Sequence, residues 1–286
     1  MFDKKSFVHL KKRSLIAIHG KDRFSFLQGI ISNDIDNLNN NFSIYSSILT
    51  PQGRFVTDFF LTHHKDSLIM ELQYDDLDLI LSKLNMYKLR SEVHISTIKN
   101  VNLFLISNDT ESILTNSIEE SLCYHDPRFK NLFKRFYLFS NEKISLQKEF
   151  HLNSLSDQDF NDLRLNNSIP EFNIDAIKNK SLLMEMRFDQ LNGISWTKGC
   201  YMGQEITARM KYRNLMKKKL FKVELEFNNF VNNEIKFEDK IVGIITSCNN
   251  KDGLAYFNLK FINEKLNKDL ISGDSKIKIT EPWWSL

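Results

Sequence analysis

Alanine is nearly missing from this 286-residue chain, which has only Ala17, Ala176, Ala208 and Ala255. Glycine (9) and proline (4) are scarce too, so no stretch has the composition of a long flexible linker. The three cysteines, Cys123, Cys200 and Cys248, stand far apart, with no CxxC pair and no Cys/His spacing of the zinc type. Reduced thiols and no protein-only metal site are therefore expected. The seven histidines show no triad-like or metal-like spacing either. Charge of neither sign dominates: 39 Lys and Arg face 36 Asp and Glu, a net +3. A dedicated nucleic-acid binder carries a larger excess, so no nucleic-acid partner is expected. No run approaches the ~20 apolar residues of a membrane span. The opening MFDKKSFVHLKKRSLIAIHG lacks the roughly 7–15-residue apolar core of a secretion signal. The expectation is a cytoplasmic protein with no membrane partner.

What is present is an ordinary globular composition, 42% hydrophobic and 26% charged, with 23 Phe to fill a core. At ~100–150 residues per domain the chain accommodates two or three units. Short strands and amphipathic helices alternate. Ser14–His19 reads as a strand, with Asp22 as the N-cap of a helix to about Ser32. Ser43–Leu49 and Phe55–Leu61 read as a hairpin across Thr50-Pro51-Gln52-Gly53, and Ser67–Leu72 as a third strand. Helices are expected over 75–87, 110–121 and 157–166, and strands near Val93 and over 101–106. After a basic run, Lys211 to Lys219, strands are expected at 220–227, 240–247, 253–261 and 276–281. That spacing suits a small barrel and sets a division into residues 1–213 and 214–286. The basic run reads as a solvated linker, with a dock for a polyglutamate tail or protein, or a nucleic-acid patch, as alternatives; no aromatic base-stacking pattern interleaves it, and the near-neutral net charge weighs against the last. Trp283 and Trp284 are expected to anchor the C-terminus.

The least generic stretch is GISWTKGCYMGQEITARMKYR, Gly193–Arg213. If Cys200 opens a helix, its sulfur lies near unpaired N–H groups, with Lys198 close by. Both would lower a thiol pKa from its reference of ~8.5. Gly199 and Gly203 would then share one helix face, and Gly199 would permit a tight turn. Glu205 and Arg209 are four apart, as in a helix-stabilising pair. Alternatively, Gln204 and Glu205 match the donor–acceptor edge of a pterin. A buried structural cysteine is the plainer reading of Cys200 taken alone.

The string Lys198-Gly199-Cys200-Tyr201-Met202-Gly203-Gln204-Glu205 resembles the K-G-C-[FY]-x-G-Q-E signature of the YgfZ family. The likeness extends to Phe26-Leu27-Gln28-Gly29 with Ser32-Asn33-Asp34, and to Gly53-Arg54 with Asp58. Asp126-Pro127-Arg128, Arg164 with Ile169-Pro170-Glu171, and Gly243-Ile244-Ile245-Thr246-Ser247 are similar to further family segments. Ser168 stands where that family usually has Gly, and Trp196 where it has Phe. These proteins are relatives of the glycine-cleavage T-protein, a tetrahydrofolate-dependent aminomethyltransferase. The resemblance implies an α+β fold: a three-part ring around a central folate channel, with two intertwined subdomains before a C-terminal β-barrel. It implies tetrahydrofolate as ligand, iron–sulfur assembly or client proteins as partners, and Cys200 as the functional thiol. Lys198, Gln204, Glu205, Arg209, Arg54 and Trp196 become the ligand neighbourhood. Asp58 is the acid that an aminomethyltransferase would use, although Thr57 replaces the neighbouring acid and Arg54 a glycine. An accessory role is therefore expected over turnover, with aminomethyl transfer and a folate-free thiol scaffold as alternatives. Arg54 and Arg128 match folate carboxylates or structural ion pairs alike.

Overall fold

The structure is a computed structural model that describes residues 5–39, 43–129, 132–139, 145–213, 215–226, 233–265 and 270–285. The chain divides into two compact units. The first comprises Met1–Ile48, Thr57–Phe160 and Asn192–Met202, and the second Leu49–Val56, Asn161–Leu191 and Gly203–Leu286.

Two five-stranded sheets build the first unit. One runs Ser43–Leu49, Phe55–His64, Ser67–Gln73, Arg13–His19, His94–Ile98. Ser43–Leu49 and Ser67–Gln73 are buried at every residue, the mark of strands covered on both faces. The other runs Asn153–Ser154, Ser6–His9, Asn102–Ile106, Lys134–Leu138, Ser121–His125. Leu15, Ala17 and Ile69 of the first sheet pack with Leu103, Tyr124 and Tyr137 of the second.

The second unit holds a closed six-stranded barrel. Its order is Lys218–Leu225, Asp252–Asn258, Lys240–Cys248, Glu234–Phe237, Leu270–Ser272, Ser275–Thr280, with the last strand pairing back on the first. Val223, Ile245 and Phe257 lie among its core residues. Gly243 is required there: a Cβ on it would stand 2.7 Å from the Phe257 ring. The Trp283 and Trp284 indoles donate to the Asn167 and Ser168 carbonyls at 2.8 and 3.0 Å.

Several elements differ from the sequence expectation. The helix expected over 110–121 is the short Glu111–Thr115, because the chain beyond it is taken up by the strand Ser121–His125. The expected 253–261 strand stops at Asn258 and turns into the helix Leu259–Lys265. Asp22 makes no side-chain cap bond to the helix Arg23–Gln28; its carboxylate accepts the Glu92 amide instead, at 2.7 Å. Asn214, the expected domain start, and Phe227, the expected strand end, lie outside the described residues.

Candidate functional site

Cys200 does not open a helix. The helix begins at Gln204 and runs to Arg213, and Cys200 lies four residues before it in irregular chain. The reason is Gly203, whose φ of 79° breaks helical geometry immediately before Gln204. Gly199 and Gly203 thus share no helix face, and Gly203, not Gly199, makes the left-handed turn.

Hydrogen bonds from the early L-Q-G and S-N-D segment hold the chain on both sides of Cys200. Lys198 is buried, and its ammonium donates to the carbonyls of Gln28, Ile31 and Asn33 at 2.7, 2.8 and 2.8 Å. An ammonium has three N–H groups, so this amine has none left for a ligand. Burial lowers its pKa, and with Asp34 and Asp36 partly opposing that shift the value comes to about 8. The Met202 amide donates to the Gly29 carbonyl at 3.0 Å, and the Ser195 amide to that of Ser32 at 3.1 Å. Ser32 Oγ in turn donates to the Gly193 carbonyl at 2.7 Å. Tyr201 is buried, its ring centroid 5.0 Å from Lys198 Nζ.

Within this frame Cys200 is exposed, whereas Cys123 and Cys248 are half-buried. Gly199 is exposed as well, and a Cβ placed on it would meet nothing within 4 Å. The thiol is therefore displayed on an open surface by a backbone fixed from below. Burial pushes the Cys123 thiol up to about 12 and raises that of Cys248, which leaves both inert near neutrality.

The remaining expected site residues fall into two groups. Trp196 (half-buried) and Asp58 (buried) belong to the first unit, where Asp58 Oδ2 accepts the Tyr45 hydroxyl at 2.7 Å. Arg54, Gln204, Glu205 and Arg209 belong to the second. There the Thr50–Gly53 turn packs directly on the start of the Gln204–Arg213 helix. Gly53 (φ 73°) and Gly203 meet backbone to backbone: a Cβ on Gly53 would stand 2.7 Å from the Gly203 oxygen. A Cβ on Gly203 would stand 2.5 Å from the Thr50 oxygen. Two glycines remote in sequence thus bring Arg54 into the neighbourhood of Gln204 and Glu205. Arg54 is exposed and gives one N–H to the Lys180 carbonyl at 2.8 Å. Glu205 and Arg209 form an exposed i,i+4 ion pair.

Sequence reasoning missed two polar hubs. In the first unit, Glu71 is buried and bonded to Arg13 (2.6 Å), Arg135 and Tyr137 (2.5 Å). Burial alone would raise its carboxyl; the guanidinium of Arg135, then that of Arg13, outweighs burial and holds it below the usual range. Arg135 also reaches Asp126, which binds the Arg128 amide and guanidinium at 3.0–3.1 Å. The Asp-Pro-Arg segment is thus a buried ion pair closing a turn, and Arg128 is buried over the Tyr45 and Phe60 rings. In the second unit, buried Asp175 accepts Arg164 (3.1 Å), the Glu171 amide (2.9 Å), Thr246 (2.7 Å) and Ser247 (2.5 Å). It ties the Ile-Pro-Glu segment to the Gly243–Ser247 strand. One sequence signal was available: a charge inside the apolar strand Ser67–Gln73. Among the described residues, no group of three or more His, Cys, Asp or Glu is placed to hold a metal ion. No described helix is long and apolar enough to cross a membrane.

No protein-family model matches the chain. Among curated proteins it is 29% identical over 255 residues to the iron-sulfur cluster assembly factor IBA57 homolog, mitochondrial, of Dictyostelium discoideum. That match covers 77% of this chain and 62% of the relative. It is 27% identical over 237 residues to the Mus musculus IBA57, covering 76% and 65%. It is 31% identical over 227 residues to the tRNA-modifying protein YgfZ of Hamiltonella defensa, covering 72% and 66%. The matched span is thus somewhat under two thirds of these relatives' lengths. A solved glycine cleavage system aminomethyltransferase T from Bartonella henselae matches with a TM-score of 0.81. That likeness covers 98% of this chain and 86% of the other at 10% identity. It establishes the fold: α+β, T-protein-like, with a closed six-stranded C-terminal barrel.

Proposed function

This chain belongs to the family of YgfZ and the IBA57 factors, and from that premise we propose that it is an accessory factor for iron–sulfur cluster assembly or repair. In this reading it binds a reduced folate and acts through the Cys200 thiol. The observation that carries the reading is Cys200 itself, the exposed cysteine on a segment whose neighbours Lys198, Tyr201 and Met202 are all held. A fixed backbone lowers the entropy cost of presenting one sulfur to a partner. The chemistry is reversible coordination: the thiol releases its proton to solvent and the sulfur donates an electron pair to an iron of the cluster, which is the cargo. Cys200 supplies one ligand, and the client or assembly partner supplies the others.

For the folate, the second unit offers the better donor set. The exposed guanidiniums of Arg54 and Arg209 suit its carboxylates in a bidentate fork, and Gln204 offers an amide to the pterin edge. Glu205 would keep Arg209 oriented. Bound there, a reduced folate supplies an oxidisable pterin. Lys198 is left out of this set because its N–H groups are committed to carbonyls. A cytoplasmic location is part of the proposal, against the mitochondrial names of the IBA57 relatives, and cell fractionation checks it.

The test is replacement of Cys200 by Ser in a cell whose own factor has been deleted, reading the activity of a [4Fe–4S] enzyme such as aconitase. Wild type restores that activity and Cys200→Ser does not, at unchanged melting temperature; equal rescue by both overturns the thiol role. Tetrahydrofolate titration followed by tryptophan fluorescence tests the ligand. Binding no tighter than that of a pterin-free p-aminobenzoylglutamate control removes the folate. Turnover in a glycine-cleavage assay lacking T-protein would make the chain an aminomethyltransferase instead.

A further inference from the structure

The outer wall of the barrel carries an apolar patch that the fold does not require. On the strand Lys240–Cys248, Val242 and Ile245 point into the core, while Ile241 and Ile244 face outward and are 54% and 53% exposed. Outward positions on a barrel strand in water are ordinarily polar. Beside them, Ile174 and Ile177 are 52% and 60% exposed. All four line one concavity of about 450 Å³, formed entirely within the second unit. Isolated exposed aliphatic residues are common, but four gathered around a depression mark an interaction site.

Charge around the depression is one-sided. Its exposed charged lining residues are Lys217 and Lys218. Its two acids lie inside: Asp175 is buried against Arg164, and Glu185 is buried 3.6 Å from Lys218. Lys218 also lies over the Tyr256 ring at 5.1 Å, so the basic edge adjoins the floor of the depression.

We propose that this depression docks a segment of a partner protein presenting bulky apolar side chains flanked by Asp or Glu. A volume of about 450 Å³ accepts two or three aliphatic or aromatic side chains, and the rim isoleucines cover their backbone. The lysines pair with the flanking carboxylates, which sets register and excludes basic segments. A second copy of this chain fits poorly, because a symmetric contact would place lysines against lysines and one hollow against another. A bilayer surface has no protrusion to enter a hollow. This surface is independent of the thiol and folate reading.

The experiment is selection of a phage-displayed random 12-residue peptide library on the full chain, with Ile244→Asp as the parallel bait. Ile244 is exposed, so the variant should keep its melting temperature; if it does not fold, Ile177→Asp takes its place. The expected result is enrichment on wild type alone of peptides with bulky apolar residues beside Asp or Glu. Their affinity should drop at least tenfold on Ile244→Asp and on the double variant Lys217→Glu, Lys218→Glu. Enrichment equal on both baits, or no enrichment, overturns the proposal. So does a consensus without acidic residues whose affinity the lysine changes leave unmoved. Self-association in sedimentation, or binding to anionic vesicles, that Ile244→Asp abolishes would assign the patch to a second copy or a membrane and likewise overturn it.

Discussion

Between the sheets of the first unit, five charged side chains, Arg13, Glu71, Asp126, Arg128 and Arg135, are buried in one connected network. The barrel of the second unit is filled instead by Phe, Val, Leu, Ile and Ala. The contrast teaches where each interior gets its specificity. Buried charges tolerate one arrangement of partners, because a lost partner leaves an uncompensated ion. An aliphatic core tolerates exchange of shape at small cost. Outside its barrel core the second unit adds one buried ion pair, Asp175 with Arg164, and a selective backbone, where Gly53 and Gly203 must touch and Gly243 must lie under Phe257.

The sharpest way to break this comparison is to remove a charge from one core and a methylene from the other. Arg135→Met leaves Glu71 and Asp126 short of a partner and should cost ~3–5 kcal/mol in urea unfolding. Ile245→Val in the barrel should cost only ~0.5–1.5 kcal/mol. Equal costs would erase the distinction.

Gly203→Ala tests the backbone side. Its left-handed φ alone costs about 1–2 kcal/mol for a residue with a Cβ. The Thr50 oxygen at 2.5 Å from that atom adds to this, so a change below 1 kcal/mol would show that the turn and helix are free to separate.

Acid should separate the units. The folded carboxyls of Glu71 and Asp126 are held below the ordinary carboxylate range, burial being outweighed by their guanidinium partners. A depressed folded pKa contributes stability that is fully present above the unfolded value of ~4 and is lost as pH falls through the folded value. Trp196 reports the first unit, and Trp283 and Trp284 the second. Single-unit tryptophan variants titrated from pH 6 to 2 should lose the Trp196 signal first. Coincident loss would mean that both units unfold together.

The smallest effect is expected at Ser168, whose φ is 58°. This explains why Gly is usual at that place in the family pattern. Ser168→Gly should relieve the strain, offset by the freedom glycine adds to the unfolded chain, for a gain under about 1 kcal/mol in Tm-derived stability.

Legibility followed the range of the forces involved. Ser43–Leu49 and Asp157–Asn166 match the expected spans because alternation and helical periodicity are local signals. Short strands such as Ser6–His9 and Leu270–Ser272 were invisible, since three or four residues carry too little pattern. The helix start was misplaced because nothing local says whether Gly199 or Gly203 makes the left-handed turn. Lys198 looked like a charge beside the thiol; only folding reveals three carbonyls around its ammonium.

By itself, then, the sequence determined the fold family and four of the six barrel strands, because those rest on short strings and local alternation. Tertiary structure alone decided that Lys198 is anchored, that Gly53 meets Gly203, and that Glu71 faces an arginine 64 positions away. Such pairings depend on which strands and turns become neighbours after the chain has closed long loops, and no local propensity encodes that.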